Sequence, residues 1–137
     1  MDTRSIVDAL RGYFESQPDG VVCAWLFGSV ARGTARPDSD VDVAVLCDRD
    51  PPQTLERSAA AMAGDIEAAI GHPVDLVVLN RAPVDLIHRV LRDGVLLIER
   101  NRDARVRFEV KARSEYFDLK PHLDRYRRAG EHAHGRP

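Results

Sequence analysis

The sequence predicts an α+β fold of two layers, a mixed β-sheet with helices packed on one face. Three observations carry that prediction. β-prone apolar runs and helical periods follow in the order helix, strand, strand, helix, strand, helix, strand, helix. The first two strands share only a short connection, so the sheet is mixed rather than purely parallel. With 137 residues, 44% apolar and 31% charged, the chain suffices for one core and is short for two.

Residues 3–14 place Ile6, Val7, Leu10 and Phe14 on one helical face, with Asp2 or Thr3 available as cap. Gln17-Pro18-Asp19-Gly20 is a turn signal. Residues 21–27 are apolar throughout, as in a strand buried on both faces, and Gly28-Ser29 ends them. Residues 30–39 form a connection with Gly33, Pro37, Asp38 and Ser39 as loop residues, and Ser29 to Arg32 can make one short helical turn. Val41, Val43 and Val45 then alternate with Asp40, Asp42, Ala44 and Leu46, which puts Asp40 and Asp42 on the same sheet face.

Asp50-Pro51-Pro52-Gln53 reads as a helix start, and Leu55, Ala59, Met62, Ile66 and Ile70 continue that helix until Gly71 and Pro73 stop it. Residues 74–79 are a further strand, with Asp75 on the face of Val77 and Leu79. Residues 83–93 are a helix stopped by Gly94, and 95–99 a short last strand. From about 102 to 119 the pattern is helical again. One stripe holds Val106, Val110, Arg113 and Phe117 and a second holds Phe108, Ala112, Tyr116 and Leu119, so both faces are expected to be covered. Residues 1–120 are read as one domain, and 121–137 as a basic, His-bearing, loosely ordered tail (His122, His132, His134).

Bulk properties narrow the function classes. No apolar run approaches the ~20 residues of a membrane span, and Met1-Asp2-Thr3-Arg4-Ser5 lacks the form of a signal peptide. Cys23 and Cys47 both lie in apolar runs and are expected as buried free thiols, so a cytoplasmic setting is expected. The net charge of −2 hides an asymmetry. Residues 1–99 hold 9 Lys/Arg against 16 Asp/Glu, and 100–137 hold 11 against 6. A basic C-terminal part can mark a partner surface or be a solvated helix face. The acidic body shows no basic groove, which argues against a nucleic-acid polymerase and against direct nucleic-acid binding.

The chemistry concentrates in residues 26–46. Gly28-Ser29, ten further residues, then Asp40-Val41-Asp42 form a combination whose chance occurrence in a chain this size is on the order of a few in a thousand. Singly, each half is ordinary turn or cap chemistry. Together they suit a metal-bound phosphate: Gly28 lets backbone approach phosphates, and Ser29 with nearby N–H groups donates to their oxygens. Asp40 and Asp42 project together and can hold magnesium ions, which favour carboxylate, phosphate and water oxygens. Two such ions ~3.5–4 Å apart serve an in-line attack on a nucleotide α-phosphorus that expels pyrophosphate. Asp75 can complete the set as metal ligand or as general base. Arg32 and Arg36 in the loop can touch phosphates or be solvated. His72 and His88 read as surface or helix residues, Tyr116 as packing, and Trp25 as core.

Gly28-Ser29-x10-Asp40-x-Asp42 resembles the signature of the DNA polymerase β-like nucleotidyltransferases. The form Gly-Ser-Val-Ala-Arg-Gly followed by Ser-Asp-Val-Asp-Val-Ala-Val is similar to the minimal nucleotidyltransferases, over about residues 4–100. Leu97-Ile98-Glu99-Arg100, Arg105-Val-Arg-Phe-Glu and Tyr116-Phe-Asp-Leu-Lys-Pro resemble the C-terminal part of MntA-type antitoxins, which pair with HEPN ribonuclease toxins. The resemblance implies a polymerase β-like fold, ATP as substrate, and transfer of AMP to a tyrosine hydroxyl of a cognate HEPN toxin in a hetero-oligomeric complex. It implies Asp40, Asp42 and Asp75 as magnesium-binding catalytic residues, with Gly28, Ser29 and Arg32 at the nucleotide. Two alternatives stay open: transfer to a small molecule, and an antidote that acts by binding alone. The aminoglycoside-modifying relatives carry an additional domain that this chain does not resemble.

Overall fold

A computed structural model describes residues 2–16, 20–48 and 55–134. Most of the turn signal at 17–20 and the helix start at 50–53 lie outside the described residues. In chain order come α1 (Thr3–Ser16), β1 (Val21–Phe27), α2 (Gly28–Arg32), β2 (Val41–Cys47) and α3 (Leu55–Ile70). Then follow β3 (Val74–Val78), a single 3-10 turn (Leu79–Arg81), α4 (Val84–Asp93), β4 (Val95–Glu99) and α5 (Arg102–His134).

α1 buries the expected Ile6, Val7, Leu10 and Phe14. Asp2 takes the cap: its carboxylate accepts the Arg4 N–H at 3.2 Å and the Ser5 hydroxyl at 3.0 Å. Thr3 is left to donate its hydroxyl to the Val30 carbonyl at 2.7 Å, which ties the start of α1 to α2.

The sheet order is β3-β2-β1-β4. β1 runs antiparallel to β2 and β4, and β2 runs parallel to β3, so the sheet is mixed as expected. The helices, expected on one face, cover both. α1 and α3 lie over Val21, Ala24, Leu26, Val41, Val43, Val45 and Leu97. α4 and α5 lie over Val22, Cys23, Trp25, Ala44 and Leu46 and add Leu79, Ile87, Val90 and Ala112. The reason is already in β1, where six consecutive residues are buried. A strand apolar on both faces leaves one face wet if helices stack on one side only, at ~25 cal/mol per Å² of apolar surface left exposed. A bulge between Val21 and Cys23 aims the adjacent Val22 and Cys23 into the same core.

The thiols of Cys23 and Cys47 are free; burial pushes Cys23 up to about 11 and raises Cys47. Trp25 is a core residue at 4% exposure. No helix among the described residues is long and apolar enough to cross a membrane.

α5 departs from expectation twice. Its Ala104, Phe108 and Ala112 pack on the sheet side, but the stripe of Val106, Val110 and Phe117 is exposed. Its backbone also stays helical past Leu119 and through Pro121 to His134. A proline removes one N–H donor from the ladder, and helix formers on either side here outweigh that loss. Arg105 anchors the first turns, donating to Glu99 at 2.7 Å and to Glu109 at 2.9 Å.

β3 ends one residue early because Asn80 takes over the ladder. Its side-chain oxygen accepts the Cys47 N–H at 2.8 Å and its amide donates to the Cys47 carbonyl at 3.0 Å. Asn80→Ala leaves both backbone groups of a half-buried residue unpaired and is expected to cost about 1–3 kcal/mol, measured by urea denaturation.

Candidate active site

β1 ends where β2 and β3 begin, because β1 runs against both. The register makes one rung of Phe27, Asp42 and Asp75: Phe27 pairs Asp42, and Asp42 pairs Asp75. Alternation along β2 and β3 puts both carboxylates on the face of Ala44, Leu46, Val77 and Leu79, the face that α4 and α5 cover farther along. Asp40 stands exposed just before β2, Asp75 is exposed, and Asp42 is half-buried.

Gly28 follows Phe27 at once, with a φ of +74° that favours glycine. A side chain there would also overlap Asp42: a Cβ would sit 3.0 Å from its Cγ and 3.2 Å from its Cβ, closer still to a carboxylate oxygen. The close approach at this glycine is therefore made by Asp42 itself, which seats its carboxylate against the backbone of the β1–α2 turn.

α2 begins without a side-chain cap, with Ser29 in its first turn. Its carbonyl end, by contrast, is fully engaged. Ser29 O accepts from Thr34 N at 2.9 Å, and Val30 O accepts from Gly33 N at 3.2 Å and from the Thr3 hydroxyl. Gly33, left-handed at φ +73°, turns the chain out of the helix. The Val30 side chain, 1% exposed, roots α2 in the core.

Burial raises the Asp42 carboxyl above its ordinary 3.8, the negative charges of Asp75 and Asp40 raise it further, and Arg32 opposes them. Arg32 is exposed and also acts on Asp93, which lies at the end of α4 and is held in a two-point contact with Arg92 at 3.0 and 2.8 Å. The backbone N–H of Arg36 donates to the Ser39 hydroxyl at 2.9 Å, which closes the loop before β2. All six residues expected at the site, Gly28, Ser29, Arg32, Asp40, Asp42 and Asp75, gather at this end of the sheet.

Among the described residues no group of three or more His, Cys, Asp or Glu side chains is close enough to hold a metal ion unaided. Magnesium does not need such a cage, since it binds through one or two carboxylates together with substrate phosphates and water. A half-buried carboxylate crowded by two others is a donor set that fits a divalent cation.

Two features of the site have no local sequence signal. Nothing near residue 3 points to residue 30, and nothing near Asp93 points to Arg32. The Gly94 that follows Asp93 was a legible signal. A Cβ on Gly94 would meet the Val90 carbonyl, and Leu26 O at 3.3 Å, so this glycine lets the end of α4 close on β1 beside the site.

Comparison with known proteins follows from this geometry. The family profile described as "Polymerase beta, Nucleotidyltransferase" matches residues 8–103. The protein adenylyltransferase MntA of Shewanella oneidensis is 35% identical over 96 residues, 69% of this chain and 66% of that protein. The match thus spans just under two thirds of that relative's length. A crystal structure of a toxin–antitoxin with AMP-PNP superposes with a TM-score of 0.67 at 29% identity, covering 94% of each chain. A re-refined structure of tri-AMPylated Shewanella oneidensis HEPN toxin in complex with MNT antitoxin gives 0.63 at 25% identity, again covering 94% of each. A profile that takes in every strand of the mixed sheet and both halves of the Gly-Ser and Asp-x-Asp pattern leaves one conclusion: the chain belongs to the polymerase β nucleotidyltransferase family.

Proposed function

We propose that this chain is a protein adenylyltransferase that moves AMP from ATP to a tyrosine hydroxyl of a cognate HEPN ribonuclease toxin, and so acts as its antitoxin. The single observation that carries the reading is Asp42, half-buried, seated against Gly28 and paired with Asp75. Holding that carboxylate ionised in the free protein costs stability, and an antidote that acts by binding alone has no use for it. The likeness to MntA and to toxin–antitoxin structures supports a protein as acceptor.

In this reading Asp40 and Asp42 would hold magnesium, which when bound supplies charge neutralisation on the triphosphate and the leaving pyrophosphate, and Asp75 is left as the base. Ser29 and the uncapped start of α2 donate to phosphate oxygen, while Arg32 adds positive charge at the mouth of the site. The tyrosine oxygen bonds to the α-phosphorus, the bond to the bridging oxygen of the β-phosphate breaks, and pyrophosphate departs with that electron pair. The phenol, with an ordinary pKa of ~10, gives its proton to Asp75, which as an exposed carboxylate is open to the incoming hydroxyl. The proposed setting is the cytoplasm, which suits the free thiols.

The decisive experiment incubates the protein with labelled ATP, magnesium and a purified HEPN toxin from the same organism, followed by mass spectrometry. A mass increase of one or more AMP on a tyrosine is expected; tight complex formation with no added mass refutes catalysis. Asp42→Asn is expected to lower transfer at least ~100-fold, the scale on which positioned acids and bases act. The same variant reports on the electrostatics of the metal-free protein. Because the folded carboxyl titrates above 3.8, its penalty is absent below that pH and complete once pH exceeds the folded value. In chelator, Asp42→Asn is therefore expected to melt above the wild type at pH 7, with the gap closing as pH falls towards 3.8. Gly28→Ala, which displaces the carboxylate without removing it, is expected to lower kcat by more than any loss of folded protein explains, read by activity against circular dichroism.

A further inference from the structure

The outer stripe of α5 carries three exposed apolar side chains, Val106 at 41%, Val110 at 60% and Phe117 at 69%. Successive helical turns set them in one line, and nothing in the chemistry of nucleotide transfer uses them. At its C-terminal end the line runs into a cavity of about 260 Å³ between α4 and α5. His88, Leu91, Arg92, Arg113, Tyr116 and Phe117 line it. Its floor is rigid: the His88 and Tyr116 rings stack in parallel with centroids 3.6 Å apart. The volume falls below the ~300–1,000 Å³ of small-molecule sites and suits one large side chain.

We infer that this cavity and the adjoining stripe of α5 form the docking surface for the protein acceptor, receiving an apolar side chain that has a carboxylate beside it. The inference rests on the transferase reading above and names the part of the surface that selects the acceptor. Three observations identify the occupant. First, the position is right. The last turn of α4 joins through Gly94 to Val95, which pairs Leu26, two residues before Gly28, and Asp42 and Asp75 open on this same face. Second, the rim carries the guanidinium groups of Arg92 and Arg113; Arg92 is paired with Asp93, while Arg113 has no ion pair among the described residues. An acidic group next to the inserted side chain meets complementary charge there. Third, the family profile stops at residue 103, whereas the matches to the toxin–antitoxin structures cover 94% of this chain and so extend well into α5. The helix is what this chain shares with those antitoxins beyond the catalytic sheet.

Aromatic and arginine side chains around a pocket are the residue types that concentrate binding energy once an interface buries them. Phe117 is exposed, so replacing it leaves the core intact. The test uses the full chain and the same purified HEPN toxin, comparing wild type with Phe117→Asp, Val110→Asp and Phe117→Leu. Titration calorimetry is expected to show at least tenfold weaker binding for both Asp variants and near wild-type affinity for Phe117→Leu. Affinity for an ATP analogue is expected to be unchanged in all three. If the Asp variants bind and are used as well as the wild type, the docking surface is wrong and the transferase reading stands. Should the wild type neither bind nor modify the HEPN protein, both fall. If instead the wild type dimerises in size-exclusion chromatography and Phe117→Asp makes it monomeric, the occupant is a second copy and the inference is overturned.

Discussion

The contact between the Asp42 carboxylate and the backbone of Gly28 is the constraint around which this end of the molecule is arranged. It needs a residue without Cβ and with positive φ at the exit of β1, a β1–β2 register that sets Phe27 opposite Asp42, and a parallel β3 that brings Asp75 alongside. Each requirement is met by a different segment. The result is a carboxylate kept partly out of water beside two others, an arrangement unfavourable to folding and suited to a cation. That conflict is the usual mark of a site where stability has been exchanged for chemistry.

The rest of the fold supplies the rigidity to hold it. β1 and β2 are buried on both faces, so the strands bearing the site cannot shift without disturbing two cores at once. α2, only five residues long, has no stability of its own. It is fastened by the Val30 side chain below and by the Thr3, Gly33 and Thr34 donors at its carbonyl end. The amide end, with Ser29, carries no side-chain cap. The two helix layers divide the work: α1 and α3 brace the sheet from behind, while α4 and α5 frame the open face on which Asp42 and Asp75 lie.

The element order and the mixed sheet were legible in sequence, because each depends on local pattern. The period of two in 41–46, the uninterrupted apolar run 21–27 and the glycine stops at Gly71 and Gly94 are properties of neighbouring residues. The Gly-Ser and Asp-x-Asp pattern is legible for a related reason: close backbone approach and paired carboxylates require specific residue types at fixed spacing. Even the two-sided covering of the sheet has its signal in β1, where six consecutive residues are buried and call for a helix layer on each face.

Tertiary structure alone decided what depends on distant segments. That Asp75 stands opposite Asp42 follows from a parallel register across 33 residues of chain, which no local signal encodes. That Gly28 makes room for Asp42, and that Thr3 holds Val30, likewise depend on strands and helices meeting in space. For α5, periodicity showed two apolar stripes with equal claim to burial, and only packing against α4 and the sheet chose between them. Sequence by itself determined which groups this protein can use. The fold decided which of them meet and which face outward, because burial, register and charge coupling are set by neighbours in space rather than along the chain.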